Sequence, residues 1–195
     1  MFGVESVVLL SSIIFVLIYF VKWKNNSVTL GRTTIDAVLV IYLLCLLNVT
    51  IFPIPFQKSF INDYLGTLGS NAHFTYNLIP FATIWNSLHN AITYNTYLLE
   101  LKNIGGNLIL LTPLGLYIHF IKRKLSFSNI MFIGFLVSIF IEILQLTISL
   151  SIGFSYRSFD VDDLLLNTLG FIYGYKSFLL IRNEFLKERT IHSNN

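Results

Sequence analysis

Hydrophobic positions fill this chain in long unbroken runs. Residues 4–21, 35–52, 103–121, 130–152 and 161–181 are apolar over about 18 residues or more, the length that about 30 Å of hydrocarbon demands of a helix. Polar positions gather between the runs, in a loop with Lys22, Lys24 and Arg32, a turn of Lys122, Arg123 and Lys124, and a stretch around Arg157. The pattern predicts an all-α fold, a polytopic membrane helix bundle of about five transmembrane helices.

Residues 53–102 break this rhythm, being too polar to cross a membrane and too apolar for a plain linker. Within them Phe81, Ile84, Trp85, Leu88 and Ile92 share one helical face while Asn86 and Asn90 take the other. A helix lying flat in the outer interface, with Trp85 at headgroup depth, answers that pattern; a folded extracellular loop over the helices answers it equally. The chain thus divides into two N-terminal transmembrane helices (1–52), an extracellular or interfacial segment (53–102), a three-helix core (103–182) and a tail (183–195).

Composition supports lipid as the solvent: 54% of the residues are hydrophobic and 12% charged, against about a quarter charged in a soluble domain. The basic excess flanks apolar runs instead of forming a solvated stripe, so it reads as a topology signal and not as a nucleic-acid surface. Lys58, Lys102 and Arg157 fall on one side and the other ten Lys and Arg on the opposite side. The positive-inside rule then puts a multi-pass protein in the cytoplasmic membrane with its N-terminus outside and its C-terminus in the cytoplasm. Glu5 ahead of the first run and Lys22 and Lys24 behind it argue for a retained helix, not a cleaved signal peptide. The lone Cys45 excludes a disulfide within the chain and a cysteine-based metal site.

Polar residues inside the runs carry the candidate chemistry. Gly134, Ser138, Glu142, Gln145 and Ser149 recur at spacings of three and four on one face of the fourth run. Asp160, Asp163, Asn167, Gly170 and Gly174 do the same in the fifth, beginning just after Arg157, while Asp162 points away and is expected to face water. Asn107 joins them from the third run, whose middle holds Pro113. An intramembrane carboxylate costs about 2.5–3.5 kcal/mol, so Glu142 needs a partner or a task. These stripes predict an outward pocket binding its ligand through Asn107, Glu142, Gln145, Arg157, Asp160, Asp163 and Asn167, with Glu142, Asp160 and Asp163 as catalytic candidates. The bland account is helix adhesion, with Arg157 paired to Asp160. Gly170 and Gly174 allow close helix approach and offer a homodimer contact. His73, His89 and His119 lack metal-ligand spacing, and His119 is expected near headgroups at an inner helix end.

Four ordered blocks add a resemblance. Asn77-Leu-Ile-Pro80-Phe81, Asn107 with Pro113 and Gly115, Glu142 with Gln145, and Arg157-Ser-Phe-Asp160-Val-Asp162-Asp163 running to Asn167 and Gly170 together resemble the VanZ-like family of bacterial membrane proteins. The resemblance implies a membrane protein, especially of Gram-positive bacteria, whose namesake gives low-level resistance to the lipidated glycopeptide teicoplanin without altered peptidoglycan precursors.

Three activities fit the residues. The first is engagement of a membrane lipid or lipidated antibiotic, the head held by Arg157, Gln145 and Asn167 and the chain lying against Phe and Ile. The second is an enzyme acting on a lipid-linked phosphate or ester, with Asp160, Asp163 and Glu142 holding Mg²⁺ or Ca²⁺, or with Glu142 as general acid or base. The third is a proton-coupled or small-ion carrier titrating at Glu142.

Overall fold

The computed structural model describes residues 30–51, 75–122, 124–153 and 157–193, with positions 61, 66 and 155 between them and the side chains of 33–178 within those bounds. The first expected span, 4–21, lies outside the described residues. Six helices and two short strands are described: α1 (Leu30–Thr50), β1 (Tyr76–Asn77), α2 (Ala82–Tyr94), α3 (Tyr97–Leu110), α4 (Thr112–Ile121), α5 (Phe127–Ile152), β2 (Phe159–Asp160) and α6 (Val161–Ser193). Among the described residues, Thr33–Thr50, Tyr97–Ile121 and Phe127–Ile152 are long and apolar enough to cross a membrane, as expected of a membrane protein.

The chain forms two compact units, Met1–His73 with Ser149–Tyr156, and Phe74–Ile148 with Arg157–Asn195. In the first, α1 exposes Val38, Ile41 and Val49, and Thr50 turns its hydroxyl back to donate to the Leu46 carbonyl at 2.8 Å. A hydroxyl satisfied within its own helix is what lipid surroundings require.

The second unit takes in β1 and α2 together with the core helices. Its third apolar run starts earlier than the sequence suggested, at Tyr97, and is broken at Leu111, where Pro113 sits in the first turn of α4. Proline lacks the N–H that would continue the ladder, so the chain closes one helix and opens another within a single span.

Glycine decides how closely α6 meets that broken span. A Cβ on Gly170 would collide with the Leu108 carbonyl oxygen, one on Gly174 with that of Thr112, and one on Gly115 with that of Phe171. Gly170 and Gly174, expected to allow close helix approach, bring α6 against α3 and α4. Thr112 reinforces the seam by donating to the Gly170 carbonyl at 3.1 Å.

Helix α5 is inside out relative to a soluble helix. Ser138, Glu142 and Gln145 are buried while Phe132, Phe135, Phe140 and Ile143 are exposed, the arrangement a lipid-facing helix adopts when its polar stripe looks inward. Below that stripe Gly134 abuts the Phe171 ring, and Ser138 donates to the Leu164 carbonyl at 3.4 Å.

The far end of the unit corrects the expectation for His119. It is fully buried, not at a headgroup surface, with its ring 4.6 Å from that of Tyr175 and 4.9 Å from that of Phe178. Tyr175 fastens the α4–α5 turn, donating to the Lys122 carbonyl at 2.8 Å and accepting from the Leu125 N–H at 3.0 Å.

Candidate functional site

The opposite end of the unit is built from a strand pair two residues long. β1 and β2 run parallel, with Tyr76 opposite Phe159 and Asn77 opposite Asp160. That register joins the segment before α2 to the start of α6. Asn77 donates through Nδ2 to the Asp160 carboxylate at 2.9 Å and to Thr83 Oγ1 at 3.0 Å, while its Oδ1 accepts from the Ile79 N–H.

Asp160 is the N-cap of α6. Its carboxylate accepts the Asp162 N–H at 2.8 Å, the bond that an aspartate makes to the second residue of a helix. The same carboxylate accepts the Thr83 hydroxyl at 2.6 Å. Three donors converge on it, so Asp160 is a structural hub between α2 and α6.

Asp162 departs from its expected place in water: it is fully buried beneath the N-terminus of α2. Helix α2 has no side-chain cap of its own, and its N-cap residue is Phe81 in the left-handed region at φ 67°. The Asp162 carboxylate accepts the backbone N–H groups of Phe81 at 2.5 Å, Thr83 at 2.8 Å and Ile84 at 3.1 Å. A carboxylate from a distant helix thus fills the role that a capping residue usually fills locally, aided by the positive end of the helix dipole. An aromatic residue with positive φ is strained by about 1–2 kcal/mol, which these bonds offset.

Glu142 and Asp163 are used differently. Glu142, 2% exposed, accepts the Asp160 N–H at 3.2 Å, its carboxylate's one hydrogen bond among the described residues. Asp163, half-buried, accepts from Asn107 Nδ2 across the α3–α6 seam. The charges of Asp163, Asp160 and Arg157 all act on Glu142, so these groups share one electrostatic site. Asn167, 1% exposed, keeps its Oδ1 without a hydrogen-bond partner among the described residues. Gln145 is buried on α5 and Arg157 is exposed ahead of β2.

Of the seven expected ligand-binding residues, hydrogen bonds directly link Asn107 to Asp163 and Glu142 to Asp160. Asn77, Thr83 and the N-terminus of α2 join the constellation without having been expected as site residues. The signal for them was indirect: α2 opens on Pro80-Phe81-Ala82, with no Ser, Thr, Asp or Asn to cap it, so its cap had to come from elsewhere. Among the described residues no three His, Cys, Asp or Glu side chains group so as to hold a metal ion. Of the three carboxylates expected to hold Mg²⁺ or Ca²⁺, Asp160 is given over to three N–H or O–H donors, while Glu142 and Asp163 each accept one among the described residues.

Beside the cluster, α2 presents apolar surface. It turns Ser87 and Ala91 inward and leaves Phe81, Trp85, Leu88 and Ile92 exposed, Trp85 by 71%. An open cleft of about 430 Å³ runs along it, lined by Pro80, Phe81, Ala82, Ile84, Trp85, Asn86 and Leu88. The amphipathic helix expected from the sequence is present, with its apolar face turned away from the protein.

Comparison with known proteins finds that residues 39–182 match the family described as VanZ/LLP1. No curated protein and no solved structure matches the chain.

Proposed function

The chain belongs to the VanZ/LLP1 family, and from that premise we propose that it binds an amphiphile or envelope lipid, the head at the carboxylate and amide cluster and the chain along α2. The observation that carries this reading is that one residue serves both parts: Asp162, inside the cluster, holds the first turn of the helix whose exposed row is Phe81, Trp85, Leu88 and Ile92. Polar recognition and apolar surface are adjacent, as an amphiphile requires. Asn107, Gln145, Arg157 and Asn167 contribute to the head site. The charge bias along the sequence orients the protein with its N-terminus outside, its C-terminus in the cytoplasm and the cluster facing outward.

A lipidated glycopeptide such as teicoplanin is one amphiphile such a site would intercept before it reaches its membrane-bound target. The test is teicoplanin and vancomycin susceptibility in a sensitive Gram-positive host carrying wild type, Glu142→Gln, Arg157→Ala or Asp163→Asn at matched membrane levels. Protection against the lipidated drug alone, lost in the variants, supports the reading. Unchanged protection in all three variants removes the cluster from it.

One observation favours a second reading, an enzyme on a lipid-linked phosphate or ester. Glu142 is buried with a single hydrogen bond among the described residues, the state of a carboxyl available for proton transfer. Turnover of such a lipid by purified protein, abolished in Glu142→Gln, separates it from binding alone.

A further inference from the structure

Hydrogen-bond demand divides the polar cluster into a finished part and an unfinished part. Asp160 and Asp162 each accept three donors. Among the described residues, the Glu142 and Asp163 carboxylates each accept one, and Asn167 Oδ1 accepts none. Every unfilled position is an acceptor, and a buried acceptor left without a donor costs about 1–3 kcal/mol.

Helix geometry places Asn167 on one face of α6. Asp163 meets α3 through Asn107, Gly170 meets the α3 backbone at Leu108, and the Phe171 ring meets α5 at Gly134. At about 100° per residue, Asn167 lies about 40° from Asp163 and about 40° from Phe171, on the arc between them. Its side chain is therefore directed into the junction of α3, α5 and α6, at 1% exposure. It stands one turn, about 6 Å along the axis, beneath Asp163. Both side chains reach toward the same junction from adjacent turns.

We propose that the unfinished part is a site for a primary ammonium group, with Glu142, Asp163 and Asn167 Oδ1 accepting its three N–H bonds. An ammonium has three donors and no acceptor, which matches one acceptor without a donor and two carboxylates with capacity beyond their single bond among the described residues. Its positive charge also answers the negative charge that Asp163 and Asp160 set beside Glu142, which Arg157 offsets in part. This rests on the amphiphile reading above and narrows it, since the ammonium belongs to a headgroup whose chains lie on the α2 face. Quaternary ammonium heads carry charge without N–H and are disfavoured by the same geometry.

The test uses the full chain in detergent micelles, with Trp23→Phe leaving Trp85 as the reporter. The probes are a short-chain phosphatidylethanolamine and the phosphatidylcholine with the same acyl chains. Phosphatidylethanolamine is expected to bind about tenfold tighter or more, the value of one charge-assisted hydrogen bond. Asn167→Leu and Asp163→Asn should each shrink the ratio of phosphatidylethanolamine to phosphatidylcholine affinity. Equal affinity for the two lipids in wild type overturns the ammonium site and leaves the amphiphile reading standing. Binding of neither overturns both. Competition by free ethanolamine at the lipid's own concentration overturns the headgroup assignment in favour of a free amine. The wild-type comparison alone decides the matter if a variant fails to fold.

Discussion

At the scale of single residues, Asp162 holds the first turn of α2 by itself, accepting three of its backbone N–H groups. Asp162→Ala would strip the acceptor from three backbone N–H groups, at about 1–3 kcal/mol for each that stays buried and unsatisfied. Hydrogen exchange should then accelerate at 81–84 well beyond the change elsewhere, and Asp162→Asn, which keeps one carbonyl acceptor, should fall between it and wild type. Phe81 tests the same contact from the other side. Phe81→Gly removes strain of about 1–2 kcal/mol against a glycine cost of about 0.5–1 kcal/mol, so the thermal midpoint should rise slightly. Amphiphile binding should weaken in the same variant, because an exposed ring leaves the cleft. A lower midpoint would show that the ring contributes more to the fold than its 65% exposure suggests.

At the scale of elements, close approach of helices is the controlling fact. Gly170→Ala and Gly174→Ala place a methyl against fixed backbone carbonyls and should cost most of the folded protein in a detergent melt. Gly105→Ala and Gly106→Ala, with open space around them, should be neutral or stabilising by up to about 1 kcal/mol. Equal effects at the two pairs would mean that α6 does not pack where it is described. The same contrast shows how far the sequence could be read. Long apolar runs announce spans because lipid leaves few alternatives, and the spacing of Glu142, Gln145, Asp163 and Asn167 announces inward faces. The exposed row of α2 was equally visible in Phe81, Trp85, Leu88 and Ile92. What stayed hidden depends on contacts between segments far apart in sequence. A two-residue pairing of Asn77 with Asp160 carries no pattern of its own, and nothing local to Asp162 says that it caps a helix some 80 positions earlier. His119 was misplaced for a similar reason, since an imidazole near a basic turn looks peripheral until Tyr175 and Phe178 enclose it.

At the scale of the whole molecule, the consequence is a membrane protein whose polar interior gathers at one end of its second unit. The orientation argued from Lys and Arg has a direct check. A reporter fused after Asn195 should be active only in the cytoplasm, and one fused before Met1 only outside. The reverse result would turn the cluster toward the cytoplasm and rule out interception of an external drug. Cys45 is the one cysteine in the chain, so single cysteines introduced into a Cys45→Ser background at Trp85 and Lys122 would report the two sides independently. Trp85 should react with an external thiol reagent and Lys122 should be protected.

The borrowed cap on α2 also fixes an order of events during synthesis. Residues 81–84 leave the ribosome long before Asp162 does, and until it arrives the first turn of α2 has no carboxylate to receive its N–H groups. The first turn of α2 therefore gains these acceptors only after α3, α4 and α5 have been made. A chain cut short after Ile152 would keep every residue of α2 and still lack the means to seat it.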